Sequence, residues 1–178
     1  GQEILIKDTI KAYQEAAGMA AELKPDTIVV ISPHAVMYAD YFHVSPGKEA
    51  RGDFGRFMAP QIGVEAGYDE AFVRELDRLC GDDDFPMGTE GEREKELDHG
   101  TLVPLYFINQ HYRDYKLVRI GGSGLSFADH YRAGRYIARA AENLGRSVFI
   151  VASGDLSHKL RGDGPYGYSV QGPEYDER

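Results

Sequence analysis

Thr27-Ile28-Val29-Val30-Ile31-Ser32-Pro33-His34-Ala35-Val36 is the stretch whose reading decides the fold. Residues 27 to 31 are all β-branched and nearly all apolar. Such a run reads as a strand buried on both faces, as in the middle of a parallel sheet. Pro33 has no amide to give a ladder, so the strand stops there. His34 is thereby delivered at the carboxyl end of a buried strand, the edge where open α/β sheets bind their ligands. A titratable, metal-capable imidazole at that edge is the first functional clue.

The rest of the chain alternates in the same manner. Ile6, Ile10, Tyr13, Ala17 and Ala20 recur at helical spacing over residues 5 to 23, and Pro25 follows as a stop. Residues 41 to 44 read as a short aromatic strand. Residues 45 to 67, with five glycines and two prolines, show no period and are expected to form a long loop that can cover a site. Asp69 caps a helix striped by Phe72, Val73, Leu76 and Leu79, with Gly81 as its left-handed end. The acidic turn Asp82-Asp83-Asp84 is a poor calcium loop and reads as solvated. Residues 90 to 98 are charged and expected to be exposed. The apolar run after them predicts a buried helix from about Thr101 to Gln110, its amino end at His99 and Pro104 in its first turn.

Residues 116 to 120 predict a second buried strand. The glycines of Gly121-Gly122-Ser123-Gly124 lack the spacing and the Lys-Ser/Thr of phosphate-binding loops and read as a tight turn. Ser126 and Asp129 open a long helix that Gly145 closes. Residues 147 to 152 form a third buried strand, ending at Ser153-Gly154-Asp155-Leu156-Ser157-His158. The expectation is one α/β domain over residues 1–178, with a central, largely parallel sheet and helices on both faces. Gly1-Gln2-Glu3-Ile4 at one end and Gly172 to Arg178 at the other read as cuts in a longer chain.

The totals narrow the partners. Lys plus Arg is 20 and Asp plus Glu is 29, a net charge of −9, which argues against nucleic acid and anionic membranes. No apolar run is long enough for a membrane span, and no signal peptide opens the chain. The single cysteine, Cys80, excludes an internal disulfide, makes a cytoplasmic home the default, and reads as a packed hydrophobe.

Three histidines stand at element ends, His34, His99 and His158, with Asp98 and Asp155 beside two of them. His43 and His111 lack such placement and read as structural, and His130, in the first turn of its helix, reads as solvated or packed rather than as a ligand. There is no Gly-x-Ser-x-Gly elbow, and Cys80 is poorly placed as a nucleophile. The remaining chemistries are metal catalysis or acid–base work by imidazole, and spacing alone does not choose between iron and zinc.

Ile31-Ser32-Pro33-His34-Ala35, then Leu97-Asp98-His99-Gly100-Thr101-Leu102-Val103-Pro104-Leu105, then Ser153-Gly154-Asp155-Leu156-Ser157-His158 occur in this order. Together they resemble the LigB-like class III extradiol ring-cleavage dioxygenases, most closely the branch called AmmeMemoRadiSam system protein B, related to Memo proteins. The resemblance implies a ferrous iron held by two histidines and a glutamate, with a catechol-type diol and O2 as substrates. It makes His34 a metal ligand, His158 the acid–base catalyst and His99 a contact to substrate or oxygen. Asp155 and Ser157 are the candidates for binding substrate. The other two ligands are expected outside this sequence, one before Gly1 and one after Arg178. Such proteins associate with copies of themselves or with a small partner subunit. Two other readings stand beside the dioxygenase: a Memo-like non-catalytic metal-binding partner of a radical enzyme, and a zinc-dependent or metal-free hydrolase using His158 and Asp155.

Overall fold

The computed structural model describes residues 3–178, so Gly1 and Gln2, read above as a cut end, lie outside the described residues. Helix α1 (Lys7–Leu23) leads into strand β1 (Thr27–Ser32). After β2 (Phe42–His43) come β3 (Glu49–Phe54), β4 (Ala59–Gly67), α2 (Glu70–Asp82) and β5 (Met87–Gly88). Then follow α3 (His99–Ile108), β6 (Lys116–Gly121), α4 (Phe127–Leu144), β7 (Val148–Ala152) and the short α5 (Gln171–Asp176).

The central sheet has the order β6-β1-β7, with both pairings parallel. The β-branched run is its middle strand, as expected. Alternation along β1 splits the core between two layers. Val29 faces α2 and α4, among Phe72, Leu76, Val118 and Ile137. Ile28 and Val30 face α1 and α3, among Ala17, Ala20, Leu102 and Leu105. Each fully buried leucine there contributes about 1.5–3 kcal/mol through removal from water. The fold is therefore α/β, with helices on both faces of a parallel sheet.

The caps hold the two layers in register. Asp69 accepts the Phe72 amide at 3.1 Å and the Thr27 hydroxyl at 2.7 Å, which ties the start of α2 to the first residue of β1. Arg146 Nε lies 3.4 Å from the same carboxylate, close enough for ion pairing but not aligned as a hydrogen bond. Ser126 caps α4, and Gly145 ends it at φ 61°, the left-handed geometry that suits glycine.

Four expectations need correction. Residues 45 to 67 are not a loop: β3 and β4 form an antiparallel hairpin with a bulge near Asp53. Its strands are poor in β-branched residues and bury little more than Ala50 and Val64, so no alternation marked them. Gly81 does not end α2, which runs on to Asp82; the left-handed residue is Asp84, at φ 48°. Helix α3 begins at His99 because Asp98 caps it, and it ends at Ile108. Pro104 consequently falls in the second turn, where it offers no amide to the Gly100 carbonyl.

The fourth correction concerns residues 90 to 98. The side chains of Arg93 to Glu96 are exposed, but Leu97 is buried and the backbone turns inward. The cause is Arg119, which sits in β6 with no solvent exposure. Its Nε donates to Ser45 Oγ at 2.7 Å, Nη1 to the Glu96 carbonyl at 2.7 Å, and Nη2 to the Glu94 carbonyl at 2.5 Å. Glu92 lies 3.7 Å away and Asp98 4.0 Å away to balance the charge. Glu92 also reaches the fully buried His43 at 3.3 Å, and the other ring nitrogen of His43 meets the Glu90 carbonyl at 3.0 Å. One buried guanidinium thus fastens the segment entering α3 to the sheet.

Replacing Arg119 by Ala strands two carbonyls and two carboxylates beside a void. A loss of about 3–5 kcal/mol in unfolding free energy is expected by denaturant titration. Burial pushes the Cys80 thiol up to about 12. A thiol reagent at mildly alkaline pH should therefore label Cys80 only after the protein is unfolded; rapid labelling of the native protein would contradict this packing.

Candidate functional site

The carboxyl edge of β1 and the amino end of α3 meet. The His34 and His99 rings lie with centroids 4.0 Å apart and planes inclined by 37°. Asp98 sets this contact. Its Oδ1 accepts the Ser32 hydroxyl at 2.5 Å and the Thr101 amide at 3.1 Å, and its Oδ2 accepts the Thr101 hydroxyl at 2.8 Å. Ser32 Oγ in turn accepts the His34 amide at 3.1 Å. The last residue of the strand, the turn bearing His34 and the first turn of α3 thus share one carboxylate. Gly100 allows the approach: a Cβ there would overlap Ser32 Oγ and lie 3.3 Å from His34 Cδ2.

His34 and His99 line a cavity of about 450 Å³ together with Phe57, Leu102 and Asp98. Phe57, on the turn between β3 and β4, stands edge-on to His99 at 5.5 Å. The hairpin therefore supplies one wall of the cavity. Arg56, Arg93 and Lys95 surround it with positive charge, while Asp53, Glu94 and Glu96 supply carboxylates. With Asp98 the lining thus sets three cations against four carboxylates, a mixed rim in which single cations rather than a net positive field can meet an anionic group. A larger hollow of about 850 Å³ lies between the hairpin and the later half of α3, sharing Asp53 and Glu96. It contains no histidine, so the chemistry follows the imidazoles rather than the volume.

His158 does not line the imidazole cavity. It follows β7, the strand beside β1, and its Nε2 meets Asp155 Oδ2 at 2.9 Å. Tyr166 covers its ring at 4.8 Å. Asp155 is exposed. Ser157 uses its amide on Asp176 at 2.8 Å and its hydroxyl on the Lys159 amide, so it braces this turn against α5. The structure brings His34 and His99 together and leaves His158, Asp155 and Ser157 as a separate group at the end of β7.

Among the described residues, no group of three or more His, Cys, Asp or Glu side chains is gathered to hold a metal ion. Asp98, the carboxylate nearest the imidazoles, already accepts from Ser32 and Thr101. The residues present do not by themselves make an iron centre, which needs two imidazoles and a carboxylate converging with open positions. Sequence reasoning missed Ser32, Phe57 and Arg119 as parts of the site. Only Arg119 left a signal, a charge in the middle of a buried strand.

A 37% identical protein from Clostridium acetobutylicum, CA_C1420, aligns with 99% of this chain and 39% of its own length. The 3,4-dihydroxyphenylacetate 2,3-dioxygenase of Escherichia coli is 26% identical over 86% of this chain and 57% of its own length. The chain thus spans about two fifths to three fifths of the curated relatives it matches. The family described as the catalytic LigB subunit of aromatic ring-opening dioxygenase matches residues 1–178, and the chain belongs to that family.

Proposed function

We propose that the whole protein opens the ring of a catechol-type aromatic diol with O2, and that this chain supplies the His34–His99 pocket where the diol is held. The observation that carries the reading is the contacting imidazole pair at the carboxyl edge of the central strand of a LigB-family fold. Ferrous iron is the cofactor the family implies. His34 is the residue of this chain that would bind it, in company with ligands from elsewhere in the whole protein.

What these residues can do follows from their placement. Phe57 and Leu102 give an aromatic ring an apolar wall. Arg56, Arg93 and Lys95 at the rim offer cationic hydrogen-bond donors to the diol oxygens, among the carboxylates of Asp53, Glu94 and Glu96. His99, the first residue of α3, stands where the helix end favours negative charge, so an N–H of its ring can hydrogen-bond an oxygen that becomes anionic. His158 carries its own carboxylate partner, Asp155, which orients the ring. The family resemblance makes it the acid–base catalyst; it stands at the end of β7 outside the lining of the His34–His99 cavity, so proton exchange with the diol requires a path between the two. The Memo-like reading, a metal-binding partner without turnover, shares the same pocket and is separated from this one by activity alone.

The test uses full-length protein, loaded anaerobically with ferrous iron and given a panel of catechols and oxygen. Ring-opened, strongly absorbing product is expected. His99→Ala should lower kcat by about 10²–10³-fold with iron content unchanged. His34→Ala should lower iron content itself. Absence of product across the panel from iron-replete protein would exclude the dioxygenase reading and leave the Memo-like one.

A further inference from the structure

We propose that the outer edge of β7 receives an additional β-strand, supplied by a part of the same polypeptide beyond these 178 residues. The two edges of the central sheet differ. On the outer side of β6, the Leu117 carbonyl accepts the Asp69 amide at 2.9 Å and the Arg119 carbonyl accepts the Ser45 amide at 2.9 Å. That edge is closed by the chain itself. On β7, the amide of Thr27 donates to Ser147 and the amide of Ser153 donates to Ile31. With Val29 paired to Ile150 in a parallel ladder, Phe149 and Val151 also turn their backbone groups towards β1. The N–H and C=O groups of Val148, Ile150 and Ala152 therefore point outward, and no other strand or bridge among the described residues takes them up.

The side chains agree. In this register Ile150 projects from the same face as Val29, yet Ile150 is 51% exposed while Val29 is fully covered. The strand Val148-Phe149-Ile150-Val151-Ala152 carries no charge, no proline and no bulge. Natural sheets blunt true edges with such features, because a flat apolar edge is a template for another strand. A strand apolar on both faces is one that a parallel sheet covers on both sides. An unsatisfied ladder specifies its occupant more narrowly than an apolar patch does: it takes extended backbone in register. Both curated relatives carry further chain of their own outside the matched part, from which such a strand can come. The edge is the same whichever reaction the protein performs.

The experiment is residue-resolved amide hydrogen exchange on the full-length protein. The outward amides of Ile150 and Ala152 should exchange on the same slow time course as the inward amide of Val151, at every protein concentration. Exchange of Ile150 and Ala152 at the rate of open amides, with Val151 protected, would overturn the proposal. Protection that disappears on dilution would assign the edge to a second copy and would overturn it equally. Ile150→Pro gives an independent reading, since it removes only an outward amide. A free edge tolerates it, whereas an occupied edge should show lost protection at Ala152 and a Tm lowered by several degrees, with Val151→Pro as the control that breaks pairing to β1 in either case.

Discussion

A guanidinium with no access to water constrains the rest of the site. Arg119 enters the sheet from β6 and meets a hydroxyl, two backbone carbonyls and two carboxylates. A buried charge of this kind persists only when its hydrogen bonds are met, so the polar groups around it have few other places to go. The carbonyls of Glu94 and Glu96 must face inward, and Asp98 must stand at the end of that path. Once Asp98 is there, it caps α3, accepts the Ser32 hydroxyl and sets His99 against His34. Packing around Leu102 and Leu105 supplies the energy; the polar cluster supplies the register.

The same arrangement accounts for where chemistry can occur. The carboxyl ends of β1 and β7 lie side by side because their strands are parallel neighbours. The first delivers His34 and the second delivers Asp155 and His158. The hairpin, which contributes little to the core, brings Phe57 over His99 and completes a pocket that the sheet and α3 alone would leave open. Scaffold and pocket wall are thus separate investments of sequence: buried β-branched strands for the first, a glycine-rich and weakly patterned segment for the second.

That division explains what could be read in the residues. The three strands of the sheet were legible because Thr27 to Ile31 and Val148 to Ala152 are nearly continuous apolar runs and Lys116 to Ile120 is apolar apart from Lys116 and Arg119. The caps at Asp69, Ser126 and Gly145 were legible because each has a local geometric requirement. The hairpin was not, since Arg51, Gly52 and Asp53 obey no alternation and gain their structure from pairing with β4 and from the Arg51–Leu97 backbone contact. The inward turn of residues 92 to 98 was hidden for a similar reason: its partner, Arg119, lies more than twenty residues away and bonds to backbone, which leaves no trace in side-chain pattern. His34, His99 and His158 were visible as candidates, but only coordinates could tell that the first two touch and that the third pairs with Asp155.

The central claim is that Asp98, itself placed by Arg119, holds the two imidazoles in contact. The most direct measurement is the nuclear Overhauser effect between the ring protons of His34 and His99 in full-length protein with labelled histidines. A strong cross-peak is expected in the native protein, unchanged in Lys95→Ala at the pocket rim and lost in folded Asp98→Ala. Its absence from the native protein, or its persistence when the carboxylate is removed, would contradict the account.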